Sequence, residues 1–237
     1  MSDSIIIIPT YNEIENIERM IRKVFSYKKE FHLLIVDDNS PDGTAQKVID
    51  LQKEYPTQLH LLQRPEKNGL GTAYKAGFDW CLDKDYEYLF EMDADFSHNP
   101  DDLIRLYEAC SKKDIHMAIG SRYCKGGKVK NWPIMRVLMS YFASIYVRMI
   151  LWIGIKDTTA GFKCYSKEAL QKVNYHNIPF KGYAFQICMK YGVLQHKLAY
   201  KEVPITFIDR QEGTSKMSSG IFKEALFGVW KMKKMKL

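Results

Sequence analysis

Apolar and polar positions alternate in blocks along the first half of the chain. Short apolar runs at 5–9, 33–36, 59–62, 88–92 and 117–120 are separated by segments of helical periodicity at 12–25, from 42, at 71–82 and from 100. Runs that are apolar at every position, rather than every second one, predict strands covered on both faces, with the intervening helices as the covers. The expected architecture is an open α/β fold around a mostly parallel central sheet. Ligands of such sheets bind beyond the carboxyl ends of the strands, so the residues after each apolar run are where chemistry is expected. Farther along come a Gly/Lys-rich loop at 126–131, a long apolar helix and a short strand at 162–165. A helix at 183–194, an extended stretch at 199–208 and a basic helical tail from 221 complete the pattern.

The long apolar helix has a second reading. Residues 137–155 would extend about 28 Å as a helix, close to the length needed to cross a bilayer. Arg148 lies well inside this stretch, at a cost of roughly 2.5–3.5 kcal/mol near a bilayer centre, and Ser140, Ser144 and two tyrosines dilute it further. Arg136, Ser140, Ser144 and Arg148 recur every fourth residue and form one polar stripe. That pattern favours a helix lying on a membrane surface over a span. An ordinary buried helix with Arg148 paired to a carboxylate fits the pattern as well. At the end of the chain Lys231, Lys233, Lys234 and Lys236 interleave with Trp230, Met232 and Met235. This is either a basic amphipathic membrane-facing segment or a solvated helix end.

Composition narrows the class. With 237 residues, 46% hydrophobic and 27% charged, the chain can bury a sizeable core, which excludes disordered and fibrous classes. The net charge of +7 favours anionic partners: phosphates, nucleic acid or acidic membranes. The five cysteines include no CxxC pair, so neither a disulfide framework nor a zinc ribbon is expected and a reducing compartment is. No basic n-region precedes Ile5, and Pro9 cuts the apolar run short, so no secretory signal is predicted.

The strand ends carry the candidate chemistry. Pro9-Thr10-Tyr11-Asn12-Glu13 follows the first strand, with Thr10 or Asn12 placed to cap the next helix. The second strand ends in Asp37-Asp38-Asn39-Ser40-Pro41-Asp42; Asp42 reads as a helix N-cap, which leaves Asp37 or Asp38 to accept hydrogen bonds from a base or ribose. The fourth ends in Asp93-Ala94-Asp95, two carboxylates projecting to one side, hard oxygen donors suited to Mg²⁺ or Mn²⁺ held together with a diphosphate. His98 beside Pro100 reads as a turn residue rather than a ligand. Arg122 follows the fifth strand, and Arg210 with Lys216 brackets a Gly-Thr-Ser loop able to close over an anion. Gly69-Leu70-Gly71 lacks the Lys-Ser/Thr of a P-loop and reads as a tight turn. An RNA-binding protein is disfavoured, because acidic strand ends repel a polyanion and no RNP, KH or zinc-knuckle pattern occurs.

In order, PTYNE, VDDNSPDGT, RPEKNGLGTAYKAGF, MDADFSHNP, IGSRY, TAGFKCY, KGYAFQ, EVPITF and DRQEGTSK resemble the dolichol-phosphate mannosyltransferase (polyprenol monophosphomannose synthase) family, within the family 2 glycosyltransferases. The resemblance runs from Ile5 to about Lys216 and implies a GT-A fold. It implies transfer of mannose from GDP-mannose to a polyprenyl phosphate with inversion, with UDP-glucose or another family 2 donor as the alternative. It also implies that Pro9, Tyr11, Glu13, Ile35 and Asp37 hold the nucleotide, and that Asp93, Ala94 and Asp95 hold the metal and the sugar diphosphate. Arg122, Arg210 and Lys216 would meet phosphates, and Arg136 with Ser140 would receive the acceptor phosphate. Some relatives have Gln where Ser97 stands, so no third protein ligand to the metal is expected. On this reading residues 1–216 are the catalytic domain, including an acceptor helix at about 134–153, and 217–237 a helical appendage. Attachment is expected to be peripheral, on the cytoplasmic side of a membrane, by the chain itself or through an anchoring partner.

Overall fold

A computed structural model describes residues 2–209 and 219–237. Nine strands and eight α-helices are found among them. The strands are β1 (Ser4–Thr10), β2 (His32–Asp37), β3 (Leu59–Gln63), β4 (Tyr88–Glu91), β5 (Met117–Ser121), β6 (Lys128–Lys130), β7 (Lys163–Ser166), β8 (Tyr200–Pro204) and β9 (Thr206–Ile208). The helices are α1 (Ile14–Phe25), α2 (Thr44–Gln52), α3 (Leu70–Leu82), α4 (Asp102–Cys110), α5 (Ile134–Leu151), α6 (Lys167–Lys172), α7 (Tyr183–Gln195) and α8 (Ser219–Met232).

Seven strands form one sheet in the order β3-β2-β1-β4-β7-β5-β8. β1 pairs in parallel with β2 and β4, β2 with β3, and β5 with β8. The continuous apolar runs behave as expected: alternate side chains of each strand enter opposite cores. Ile5, Ile7, Leu34 and Val36 pack with residues of α3, α5, α6, α7 and α8. Ile6, Ile8, Leu33 and Ile35 pack with residues of α1, α2 and α4. Helix and sheet approach closely at Gly77 of α3, where an added Cβ would lie 2.6 Å from Ile7 Cγ2.

Two local expectations change, and the strand expected at 162–165 gains a direction. The run at 162–165 becomes β7, antiparallel to both β4 and β5, with Lys163 opposite Glu91 on one side and Ile119 on the other. A stretch of four residues carries no direction of its own, and its neighbours decide it. The loop at 126–131 contains β6, which pairs in parallel with β9 as a two-stranded sheet. A three-residue strand with lysines at both ends is too short for periodicity to reveal. Finally, α1 is not capped by Thr10 or Asn12. Glu13 occupies its cap position without a side-chain bond, and the Ile14 N–H donates instead to Asp42 Oδ2 at 3.1 Å. Asp42 Oδ1 meanwhile accepts the Thr44 N–H (3.0 Å) and hydroxyl, so one carboxylate ties together the starts of α1 and α2.

α5 has 18 residues and buries only Ser144, Val147, Ile150 and Leu151. It is the one described helix long and apolar enough to cross a membrane. Ile134, Met135, Leu138, Met139, Tyr141, Phe142 and Met149 lie exposed along it. Trp152, in left-handed backbone (φ 56°, ψ 46°), ends the helix. α8 packs beside it: the Trp230 indole N–H donates to Tyr146 Oη (3.0 Å), whose hydroxyl donates to the Leu226 carbonyl (2.9 Å). Val229 and Met232 of α8 enter the same core as α7, while Phe227 and Trp230 stay exposed.

Candidate active site

The carboxyl ends of β1, β2, β4 and β5 converge on one edge of the sheet, and the candidate residues sit there. Thr10 and Asp37 are register partners at the ends of β1 and β2. Asp37 is fully buried: its Oδ2 accepts the hydroxyls of Thr10 (2.9 Å) and Ser40 (2.6 Å), and its Oδ1 the Ser40 N–H (2.9 Å). Ser40 Oγ in turn accepts the Asn12 N–H at 3.0 Å, and Thr44 Oγ1 the Glu13 N–H at 3.0 Å. Asp37 therefore fixes the backbone of the first two strand-end loops whatever else it binds. Asp38 differs. Burial pushes its carboxyl above the ordinary value against the opposing charge of Arg64, whose Nε lies 3.3 Å from Oδ1, an atom that accepts no hydrogen bond. Pro9 and Tyr11 are half-buried at the mouth, and the Lys67 ammonium lies 4.3 Å from the Tyr11 ring centroid. Ile35 is wholly inside the core beneath them, so only its backbone can lie near a nucleotide.

The Asp93–Asp95 loop follows β4. Asp95 is buried and its Oδ1 accepts the Ser97 N–H (3.0 Å), whereas the Asp93 side chain is 40% exposed. Ala94 is buried in the core between them. His98, read as a turn residue, does sit in the bend that follows Asp95, and it is enclosed there. It is buried, stacks on Phe162 at 5.0 Å, meets the edge of Phe207 at 5.4 Å, and accepts the Asp93 N–H on Nδ1 (3.3 Å). Burial, aided by Arg122 and Lys163 against the opposing charge of Asp95, pushes its pKa down to about 4, so near neutral pH the ring is uncharged with its proton on Nε2. Among the described residues no group of three or more His, Cys, Asp or Glu side chains gathers into a metal site. Two carboxylates at one loop still fit a hard divalent ion that takes its other ligands from a diphosphate and water.

Phe207 links this loop to the second part of the site. Its ring lies 5.2 Å from that of Trp132 and 5.5 Å from Arg122 Cζ. Beyond them opens a cleft of about 510 Å³ between α5, α7 and α8, lined by apolar side chains and by Arg122, Arg136, Ser140 and Thr159. Arg136 Nη1 donates to both Asp209 oxygens (3.0 and 3.1 Å), and its guanidinium stacks 4.0 Å over Trp132. The polar stripe divides by depth. Ser140 faces the cleft, the Ser144 hydroxyl is buried 3.4 Å from that of Thr158, and Arg148 has no carboxylate partner among the described residues. With only four of its 18 residues buried, α5 is not the ordinary buried helix that was the alternative reading. Arg210 and Lys216 lie outside the described residues.

Comparison with known proteins identifies the family. The glycosyl transferase family 2 profile matches residues 5–173. The polyprenol monophosphomannose synthase of Mycolicibacterium smegmatis is 44% identical over 226 residues, covering 95% of this chain and 85% of its own. The undecaprenyl-phosphate mannosyltransferase of Micrococcus luteus is 44% identical over 223 residues, covering 94% and 90%. The chain belongs to glycosyl transferase family 2. A solved mannosyltransferase from Pyrobaculum calidifontis, in complex with GDP-Man and Mn²⁺, shares the fold at a TM-score of 0.61 and 13% identity, over 97% of this chain and 69% of that one.

This family 2 enzyme also carries buried charges that the strand-end reading passed over. Lys163 Nζ donates to Glu91 Oε2 (2.9 Å), to the carbonyls of Ala160 (3.4 Å) and Gly161 (3.3 Å), and to Gln186 Oε1. Gln186 Nε2 donates to Glu91 Oε2 at 2.6 Å. Lys190 Nζ donates to the carbonyls of Thr158 (3.0 Å), Ala160 (2.7 Å) and Gln186 (3.1 Å). All four side chains are buried, which gives a structural account of the TAGFKCY and KGYAFQ motifs. They pin the 157–161 loop beneath the cleft. Their signal in the sequence is a single charge inside an otherwise apolar run, as in Leu89-Phe90-Glu91-Met92.

Proposed function

We infer that this enzyme transfers mannose, with inversion, from GDP-mannose to a polyprenyl phosphate at a membrane surface. The observation that carries the reading is the cleft, an apolar channel of about 510 Å³ with Arg122, Arg136 and Ser140 on its wall. A lipid phosphate requires both features at once, an apolar bed for the prenyl chain and cationic donors for its head. A saccharide acceptor needs no such bed. Two relatives 44% identical to this chain bear polyprenyl-phosphate mannosyl-transfer names, which supports the choice of acceptor and sugar.

The mechanism follows from the charges. Asp93 and Asp95 would hold Mg²⁺ or Mn²⁺, which when bound offsets the charge on the departing nucleotide diphosphate. Asp37, through Thr10 and Ser40, keeps Pro9, Tyr11 and Glu13 arranged at the nucleotide end. Arg122, with Arg210 and Lys216, supplies donors to phosphate oxygens, and Arg136 with Ser140 aligns the acceptor. A phosphate monoester has its second pKa near about 6, so the acceptor oxygen is largely ionised near neutral pH and no general base is needed. A single displacement by that oxygen inverts the anomeric centre.

Membrane attachment is assigned to the exposed faces of α5 and α8, flanked by Lys231, Lys233, Lys234 and Lys236. The cytoplasmic side is assigned from five free thiols. The test is transfer of labelled sugar from GDP-mannose, with UDP-glucose in parallel, to a short polyprenyl phosphate in detergent with Mn²⁺ or chelator. Metal-dependent mannolipid that disappears in Asp95→Ala, with a raised acceptor KM in Arg136→Ala, is expected. Glucolipid formed in preference to mannolipid would move the donor, and unchanged acceptor kinetics in Arg136→Ala would remove the acceptor assignment.

A further inference from the structure

Arg122 is held with unusual completeness for a side chain that lines an open cleft. Its Nε and its own backbone N–H both donate to Asp157 Oδ2 (2.7 and 2.9 Å), and Nη2 donates to Asp157 Oδ1 (2.6 Å) and to Thr159 Oγ1 (2.7 Å). The rings of Tyr123, Trp132 and Phe207 surround the guanidinium, with centroids 5.2, 5.5 and 5.5 Å from Cζ. Only Nη1 has no acceptor among the described residues. Asp157 is anchored in its turn: its N–H and that of Lys156 donate to Glu202 on β8 (3.1 and 3.0 Å). Lys190, from α7, holds the carbonyls on either side of Thr159. Asp157, Thr158 and Lys190 are fully buried, so none of them can touch a substrate.

We propose that Asp157 is a positioning residue, which locks one edge of the Arg122 guanidinium so that Nη1 stays aimed at the phosphate in the cleft. A guanidinium is a rigid planar fork, and clamping the Nε/Nη2 edge determines where the remaining nitrogen points. The ion pair also offsets most of the charge of an arginine lodged among aromatic rings, leaving a directional donor rather than a general anion trap. The proposal rests on the reading of Arg122 as a phosphate-binding residue.

The test is a double-mutant cycle on the full-length enzyme, with GDP-mannose as donor and a short polyprenyl phosphate as acceptor. Asp157→Asn is expected to lower kcat/KM for the acceptor by about tenfold or more while donor affinity changes by less than about twofold. Combined with Arg122→Lys, it is expected to add less than about threefold to the loss of Arg122→Lys alone, because the two act as one unit. Losses that multiply, or donor and acceptor parameters that fall together with the melting temperature, overturn the positioning role and leave Asp157 structural. Wild-type acceptor kinetics in Arg122→Lys would instead overturn the phosphate reading itself, and the proposal with it. Should Asp157→Asn fail to fold, Glu202→Gln, outside the cleft lining, removes one of the two acceptors that anchor the 156–157 backbone and runs the same cycle with the same two outcomes.

Discussion

Trp152 offers the sharpest separation of folding from membrane binding. It ends α5 in left-handed backbone, a conformation that costs a residue with a Cβ roughly 1–2 kcal/mol, and its side chain is 85% exposed. Neither feature helps the fold, so Trp152→Asn, which keeps a residue tolerant of that conformation, should leave the melting temperature unchanged or slightly higher. For membrane binding the sign reverses. An aromatic side chain of this size presents up to about 250 Å². If about 100 Å² of it leaves water in the lipid interface, at about 25 cal/mol per Å² the loss is about 2.5 kcal/mol, or about 70-fold in partition coefficient. Co-sedimentation with vesicles of neutral and of anionic lipid, at low and high salt, measures it. The salt response reports the lysines near the end of α8, which are untouched by the substitution. Vesicle affinity within about twofold of wild type, with an unchanged melting curve, would refute the assignment of α5 as a membrane-facing helix.

Other perturbations test the interior. Lys163→Met strands the Glu91 carboxylate without its buried partner and is expected to cost about 3–5 kcal/mol by chemical denaturation; Lys163→Met with Glu91→Gln should recover much of that. Gly77→Ala drives a methyl into Ile7 and is expected to cost about 1–3 kcal/mol, with no local effect at the cleft. Burial by itself raises the Asp157 carboxyl, but the Arg122 ion pair and hydrogen bonds outweigh it and hold its pKa below the ordinary 3.8. A carboxylate with a lowered folded pKa adds stability that is fully present above its unfolded value and is lost as pH falls through the folded one. The stability deficit of Asp157→Asn should therefore be largest above pH 4 and shrink below it; a deficit independent of pH would exclude an ionised Asp157.

Much of the layout was legible in the chain alone because burial periodicity is local. Ile5 to Ile8 and Leu33 to Val36 announce strands covered on both faces, and the carboxylates at 93 and 95 announce themselves by following such a run. The stripe on α5 was equally legible, since positions four apart share a helix face whatever the rest of the molecule does. Choice of partner is not local, and there the tertiary structure decided. The reversal of β7, the pairing of β6 with β9, and the meeting of Arg122 with Asp157 and of Lys163 with Glu91 each join segments far apart in sequence. The stripe shows the same division: its spacing was visible, but only packing against the 157–161 loop buried Ser144, and only the cleft left Ser140 facing the space assigned to the acceptor. A side chain's periodicity reports whether it faces inward; which atoms it meets there depends on contacts between distant segments, for which the local pattern has no term.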